Sequence, residues 1–490
     1  MRNKLDIVMF FVLLLVTLTA TAQDVSVRGC RRGMQSGTIT RGLRTGPFRV
    51  KLGGEFYHGD RHQLLVLAAF NDQAFESDEA TAVQKWDKIF NAVGYNEAPY
   101  AGSVHDYFYA QSYQQFNLTF DLQYVQLSEG RARYASTASH DENSQFLVSD
   151  IIDSLSKRDI DWSLYDWDGD GYVNQLLIIY AGKGMHDGGG NNTIWPHQWW
   201  LSLHVDPTTE AYCQPRTVTN ADGSQYLVDN YCAVNEQGTF SDPFGTICHE
   251  YSHCFGFPDF YYGSEKFLRD WDLMDFGNNN DGGYRPPNYS AYERWLMGWL
   301  TPVELTSATT ITDMVSLSDQ PQAYLVRNDG CEQEFYILEN RQQKGWDTSL
   351  PGNGIIVFHI HFDEDVWLDP FSSPNTPVYK HYTIFPANNK SMANYNSGCG
   401  YPYQANDSLT NTSTPEASLW NANSDGTKLM SKPISQMAVD ANGRASFHFT
   451  LNPTAISEKT ANGMSQVLYE IGPIRIVRTA NGDIKKVMKR

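Results

Sequence analysis

Two histidines four residues apart, His249 and His253, enclose a glutamate in the stretch His249-Glu250-Tyr251-Ser252-His253. On a helix, positions i and i+4 share one face a turn apart, so both imidazoles can hold one cation. Glu250 projects beside them as a non-ligand, placed to take a proton from an attacking water and pass it to a leaving amine. A catalytic zinc takes three protein ligands and keeps one position open. Asp259, ten residues after His249, supplies the third if the chain leaves the helix and turns back. Gly256 can adopt the positive φ of such a turn, and Pro258 prevents the helix from continuing. Glu265 and Asp270 are the alternative third ligands. Met274 lies further on, as a support for the site or as a plain core methionine. The chemistry expected of this set is peptide-bond hydrolysis by a zinc-activated water.

A second constellation is Asp166-x-Asp168-x-Asp170-Gly171, with Asn174 at the ninth position. That is the oxygen-ligand spacing of a calcium loop, but Leu177 stands where a bidentate glutamate belongs, so Ca2+ here competes with an Asp-rich turn that binds only water. His359, His361 and Asp363 alternate and would share a strand face, which reads as hydrogen-bonding histidines more readily than as a second metal site. His197 lies beside Trp199 and Trp200, as a cleft residue or as packing. Cys248 and Cys254 are too far apart on one helix to pair and read as buried thiols. Asp222-Gly223 is a hairpin turn signal. Pairing outward from a midpoint between these two residues brings Cys213 opposite Cys232, so a disulfide is expected there.

Positioning such residues takes a rigid scaffold. Leu64 to Phe70 and Gln175 to Tyr180 read as core strands, while Val83, Trp86, Phe90 and Val93 recur at helical spacing. Ser103 is placed to cap a helix through Tyr107, and Phe146, Ile151, Ile152 and Leu155 mark another. Beyond Trp299, strand-like runs such as Phe335–Leu338 and Gly354–Phe358 alternate with Asn-, Ser-, Gly- and Pro-containing loops.

The chain has 490 residues, too many for a single core. A net charge of −19 repels phosphate backbones, so nucleic acid is not an expected partner. The first 22 residues have the form of a signal peptide: Arg2 and Lys4, an apolar run from Ile7 to Leu18, and Ala20-Thr21-Ala22 before the cut. That run is too short to span a bilayer, so no transmembrane anchor is expected in the mature chain. Export permits disulfides, and the odd count of 7 cysteines leaves at least one thiol. Cys30 lies in the segment after the signal, where a thiolate would be able to occupy zinc's open position and keep a zymogen latent; an unpaired structural thiol is the plainer reading.

The motif resembles the short zinc signature of metzincin-like peptidases, with Asp259 in place of a third histidine. The wider sequence is similar to the immune inhibitor A family of secreted bacterial metallopeptidases. The likeness is carried by Ser112–Phe116 (with Gln114 for the usual glycine), Trp195-Pro196-His197, Gly245–Glu250, Trp271–Asp275, Ser290–Glu293, Gly298–Leu300, Glu339-Asn340-Arg341 and Gly352-Asn353-Gly354. It implies zinc, a cleft between two subdomains, and protein or peptide substrates. The expected fold is α+β. A signal peptide (1–22) and a pro-segment or arm (23–57) precede a metzincin-like catalytic domain with a mixed sheet and an active-site helix (58–302). A β-rich, sandwich-like domain (303–452) follows. Residues 453–490 form a basic tail that resembles the sorting tails read by bacterial export machinery. The alternatives are a thermolysin-like peptidase or zinc amidase and, from another class, a secreted binding or adhesion protein with a structural metal. Only a closed four-ligand site would suit the last, and it has no use for Glu250.

Overall fold

The computed structural model describes residues 55–135, 143–369, 373–451, 466–471, 474–478 and 484–488. The signal peptide, Cys30 and nearly all of the expected arm therefore lie outside the described residues. The first half is built on strands β1 (Gly59–Ala69), β2 (Phe116–Gln126), β3 (Tyr172–Val173), β4 (Leu176–Lys183), β5 (His197–Trp200), β6 (Arg216–Thr219), β7 (Gln225–Val228) and β8 (Asn230–Gln237). The main sheet has the order β2-β1-β4-β8-β5 and is parallel except for β5, which runs antiparallel to β8 at the edge. Its central strands are apolar runs buried on both faces, as parallel strands covered by helices must be: Leu64 to Ala69 and Leu176 to Ala181 are almost wholly inaccessible.

Helices α1 (Glu79–Asn91), α2 (Val104–Gln111), α3 (Ser144–Leu155) and α4 (Pro243–Cys254) pack around this sheet. In α1 the buried stripe is Ala82, Trp86, Ile89 and Phe90; Val93 falls past the helix end and stands in solvent. Ser103 and Asp106 form a reciprocal capping box at α2, satisfying two backbone donors. The zinc-motif helix α4 starts at Asp242, whose carboxylate accepts the Phe244 N–H at 2.9 Å, with Pro243 at the first helical position. A β-carbon on Gly245 would lie 1.9 Å from the Asn278 carbonyl oxygen, so only glycine lets α4 approach the 277–283 loop this closely.

A short helix, α5 (Ala291–Leu296), leads into the β-rich half: β9 (Val303–Glu304), β10 (Thr309–Met314), β11 (Ala323–Asn328), β12 (Cys331–Arg341), β13 (Gly354–His361), β14 (Tyr382–Ile384), β15 (Ile434–Val439) and β16 (Ala445–Phe449). Two sheets result, β14-β13-β12-β11-β9 and β10-β16-β15. The protein is thus α+β. Alternate residues of the larger sheet feed two cores. Phe335, Ile337, Ile356 and Phe358 join the core of the first half, whereas Tyr336, Leu338, Ile355 and Val357 face the smaller sheet. The β-rich half shares a core with the part that carries the zinc motif. Three short strands within 466–488 form a separate antiparallel sheet. Among the described residues no helix is long and apolar enough to cross a membrane.

The expected Cys213–Cys232 disulfide is absent: both cysteines are free. The hairpin exists, since β6 and β7 pair antiparallel around the Asp222-Gly223 turn. Its register, however, is Thr219 opposite Gln225 and Arg216 opposite Val228, one residue away from the register expected. A one-residue slip turns side chains to the other face. The ladder also ends at Arg216 and Val228, and the chain then passes into β8, where Cys232 pairs with Leu177 and Gln198 inside the main sheet. Cys248 and Cys254 are free thiols packed in the core, as expected. Cys331 is disulfide-bonded.

Candidate active site

Helix α4 puts His249 and His253 one turn apart with ring centroids 4.8 Å from each other. The chain then leaves the helix through Gly256, at φ +96°, where a left-handed turn costs glycine little. This brings Asp259 back so that its Oδ1 lies 3.1 Å from His249 Nε2 and 3.3 Å from His253 Nε2. One ligand atom from each residue lies within 4.8 Å of the others. Donors about 2.1 Å from a tetrahedral ion stand roughly 3.4 Å apart, so the group fits one.

The hydrogen bonds behind the rings reinforce the fit. His249 Nδ1 is 2.8 Å from the Leu273 carbonyl and His253 Nδ1 is 2.6 Å from the Phe257 carbonyl. Each Nδ1 is thus engaged by a carbonyl, and Nε2 is the ring nitrogen that faces Asp259 and, once deprotonated, is available to a metal. Burial works to lower the pKa of His253, but the Asp259 carboxylate outweighs it and holds the ring up to about 9. Burial likewise opposes the charge on Asp259, yet the two imidazoles hold it far below the carboxylate range. The cluster thus favours a cation between these groups. Glu250 Oε2 sits 4.0 Å from His253 Nε2, beside the group and outside it.

Residues 69–299 match the family described as the immune inhibitor A peptidase M6 catalytic domain. That stretch is similar to the catalytic domain of the immune inhibitor A peptidases. A curated relative, immune inhibitor A of Bacillus thuringiensis subsp. alesti, is 26% identical over 208 residues, covering 36% of this chain and 29% of the relative. The match thus spans less than a third of the relative's length. The match supports reading the stretch as a peptidase catalytic domain and implies dependence on a metal.

Within the matched stretch, Met274 is fully buried and its turn ties the site together. The Leu273 carbonyl receives His249, and the Met274 carbonyl accepts the Phe260 N–H at 2.9 Å, next to Asp259. The rival ligands stay away from the group: Glu265 is exposed in a turn with Tyr262, and Asp270 pairs with Arg269 at 2.9 Å.

Asp166, Asp168 and Asp170 do come together, within 4.8 Å. Asp166 accepts the N–H groups of Asp170 and Gly171, Asp170 accepts that of Tyr172, and the Asn174 side-chain oxygen accepts that of Trp167. The loop thereby has the hydrogen bonding of an Asp-rich turn. His197 is buried in a polar knot with Ser144 and Tyr231, at 3.1 and 3.0 Å. His359 Nε2 lies 2.7 Å from Glu334 and His361 Nδ1 lies 2.8 Å from the Tyr379 hydroxyl, so these histidines are engaged in hydrogen bonds.

Two neighbours of the site carry no sequence signal of their own. The Tyr261 ring lies against His249, 6.5 Å between centroids at 23°, and Lys266 Nζ stands 3.8 Å from the Tyr261 centroid. Only the place of Tyr261 two residues beyond Asp259 hints at it.

Proposed function

We propose that this chain is an exported zinc endopeptidase whose metal is held by His249, His253 and Asp259 and whose general base and acid is Glu250. The observation that carries the reading is the convergence of both Nε2 atoms on Asp259 Oδ1 at 3.1 and 3.3 Å, with both Nδ1 atoms already committed to carbonyls. Zinc bound there would supply Lewis acidity, lowering the pKa of a water to about 7 and polarising the scissile carbonyl. Glu250, beside the three ligands, takes the proton from the attacking water and delivers it to the leaving amine. The His249 and His253 rings are held by carbonyls and cannot swing during the cycle. Met274 closes the floor of the site with apolar bulk.

The expected export signal at residues 1–22 supports an extracellular or cell-surface site of action and an arm that is removed to give the mature enzyme. The HExxHxxGxxD pattern and the buried Met274 turn support a metzincin-like arrangement. A closed structural site would need four protein ligands. Among the described residues the group has three, which favours an open, catalytic position.

Asp259→Ala tests the ligand set. Removing one of three ligands is expected to strip zinc during dialysis, read by metal content, and casein hydrolysis should fall with it. Full occupancy with full activity in this variant would move the third ligand elsewhere.

A further inference from the structure

The half-buried Lys266 ammonium is held beside the candidate metal site by aromatic faces. Its Nζ lies 3.8 Å from the centroid of the Tyr261 ring and 5.6 Å from that of Phe276. The Tyr261 ring in turn lies against His249, with centroids 6.5 Å apart. Among the described residues Lys266 makes no hydrogen bond and no ion pair. The charges around it are committed elsewhere. Arg269, whose guanidinium stands 5.0 Å from the Phe276 centroid, pairs with Asp270 at 2.9 Å. Asp275 is buried, and its Oδ2 accepts the N–H groups of Phe267 and Leu268 at 2.8 and 2.7 Å. Asp259 turns its Oδ1 to the two imidazoles. Burial lowers the Lys266 pKa against the pull of the Asp275 and Asp259 carboxylates, so the ammonium is short of counter-charge.

We propose that Lys266 is a specificity-determining residue that receives the carboxylate of an aspartate or glutamate side chain of the peptide substrate, close to the scissile bond. This rests on the reading of His249, His253 and Asp259 as the centre of a zinc endopeptidase. Two ring contacts separate Nζ from His249, and an extended peptide advances about 3.3–3.6 Å per residue, so a side chain within roughly three residues of the bond reaches the ammonium. Partial exclusion of water strengthens its attraction for an anion. A glutamine at the same position of the substrate accepts a hydrogen bond but brings no charge, and the bond it forms is the weaker one.

The test uses the full-length, zinc-loaded protein and peptides built on a sequence that it cuts in casein. The peptides are blocked at both ends and come in pairs that differ only as Glu against Gln, the exchange being walked over the residues flanking the cleaved bond. The readout is the ratio of kcat/KM within each pair, which does not depend on the fraction of active enzyme. At one position the wild type is expected to favour Glu by about 10- to 100-fold. Lys266→Met, which keeps the aliphatic length, is expected to bring that ratio near one, Lys266→Arg to keep it above one, and Lys266→Glu to invert it. Absence of any position with a preference for Glu in the wild type would overturn the proposal, as would a preference that survives in Lys266→Met. Failure of the wild type to cut casein is a separate outcome that overturns the endopeptidase reading, and this inference with it.

Discussion

Replacing Glu250 with glutamine is expected to lower turnover by about 100-fold or more while leaving zinc content and fold intact. The amide would keep the shape of the side chain and lose the ability to take a proton. The carboxylate lies 4.0 Å from His253 Nε2 and outside the ligand group, so its loss does not open the metal site. The measurement is the hydrolysis of casein by zinc-loaded E250Q, with metal content and circular dichroism on the same sample. Near-normal turnover in a folded, zinc-loaded variant would assign the base to another residue.

The largest effect on stability is expected at Arg341, on β12. Its guanidinium is fully buried. Nε and Nη2 reach Asp347 at 2.7 and 2.6 Å, Nη1 reaches Glu339 at 3.0 Å, and Nη2 also donates to the Asn288 carbonyl at 3.1 Å. Glu339 in turn accepts the Ala291 N–H at the start of α5, and Asp347 accepts that of Asn288. One side chain therefore ties the β-rich half to the segment following the Met274 turn. Removing it leaves two buried carboxylates uncompensated, so Arg341→Ala should destabilise the fold by about 3–5 kcal/mol, read from urea unfolding. Arg341→Lys should recover part of this, because an ammonium restores charge but not the forked geometry. A loss below about 1 kcal/mol in R341A would mean that the carboxylates are neutralised without the arginine.

How much of this was legible in the sequence follows from the range over which each feature is encoded. The convergence of His249, Glu250 and His253 depends on helical periodicity alone, and the return of Asp259 depends on one left-handed glycine, Gly256. Both are local, and both could be read. The same holds for the Ser103 cap and the Asp222-Gly223 turn. Register is less local. The hairpin pairs one residue away from the expected ladder, and after Asp229 the chain enters β8, which belongs to another sheet, so Cys232 is carried away from Cys213. Apolar runs mark β12 and β13 as strands without revealing that their two faces serve two cores. The tie from Arg341 to the Asn288 carbonyl joins segments far apart in the chain, and local sequence does not announce it.

The central claim is a peptidase whose activity requires the ion held by His249, His253 and Asp259. The most direct measurement is proteolysis by the purified mature protein before chelation with 1,10-phenanthroline, after chelation and removal of the chelator, and after return of one equivalent of zinc. The expected result is one zinc per chain at the start, loss of casein hydrolysis on removal, and recovery on return, with no recovery in Asp259→Ala. Undiminished hydrolysis by protein shown to be free of metal would contradict the account.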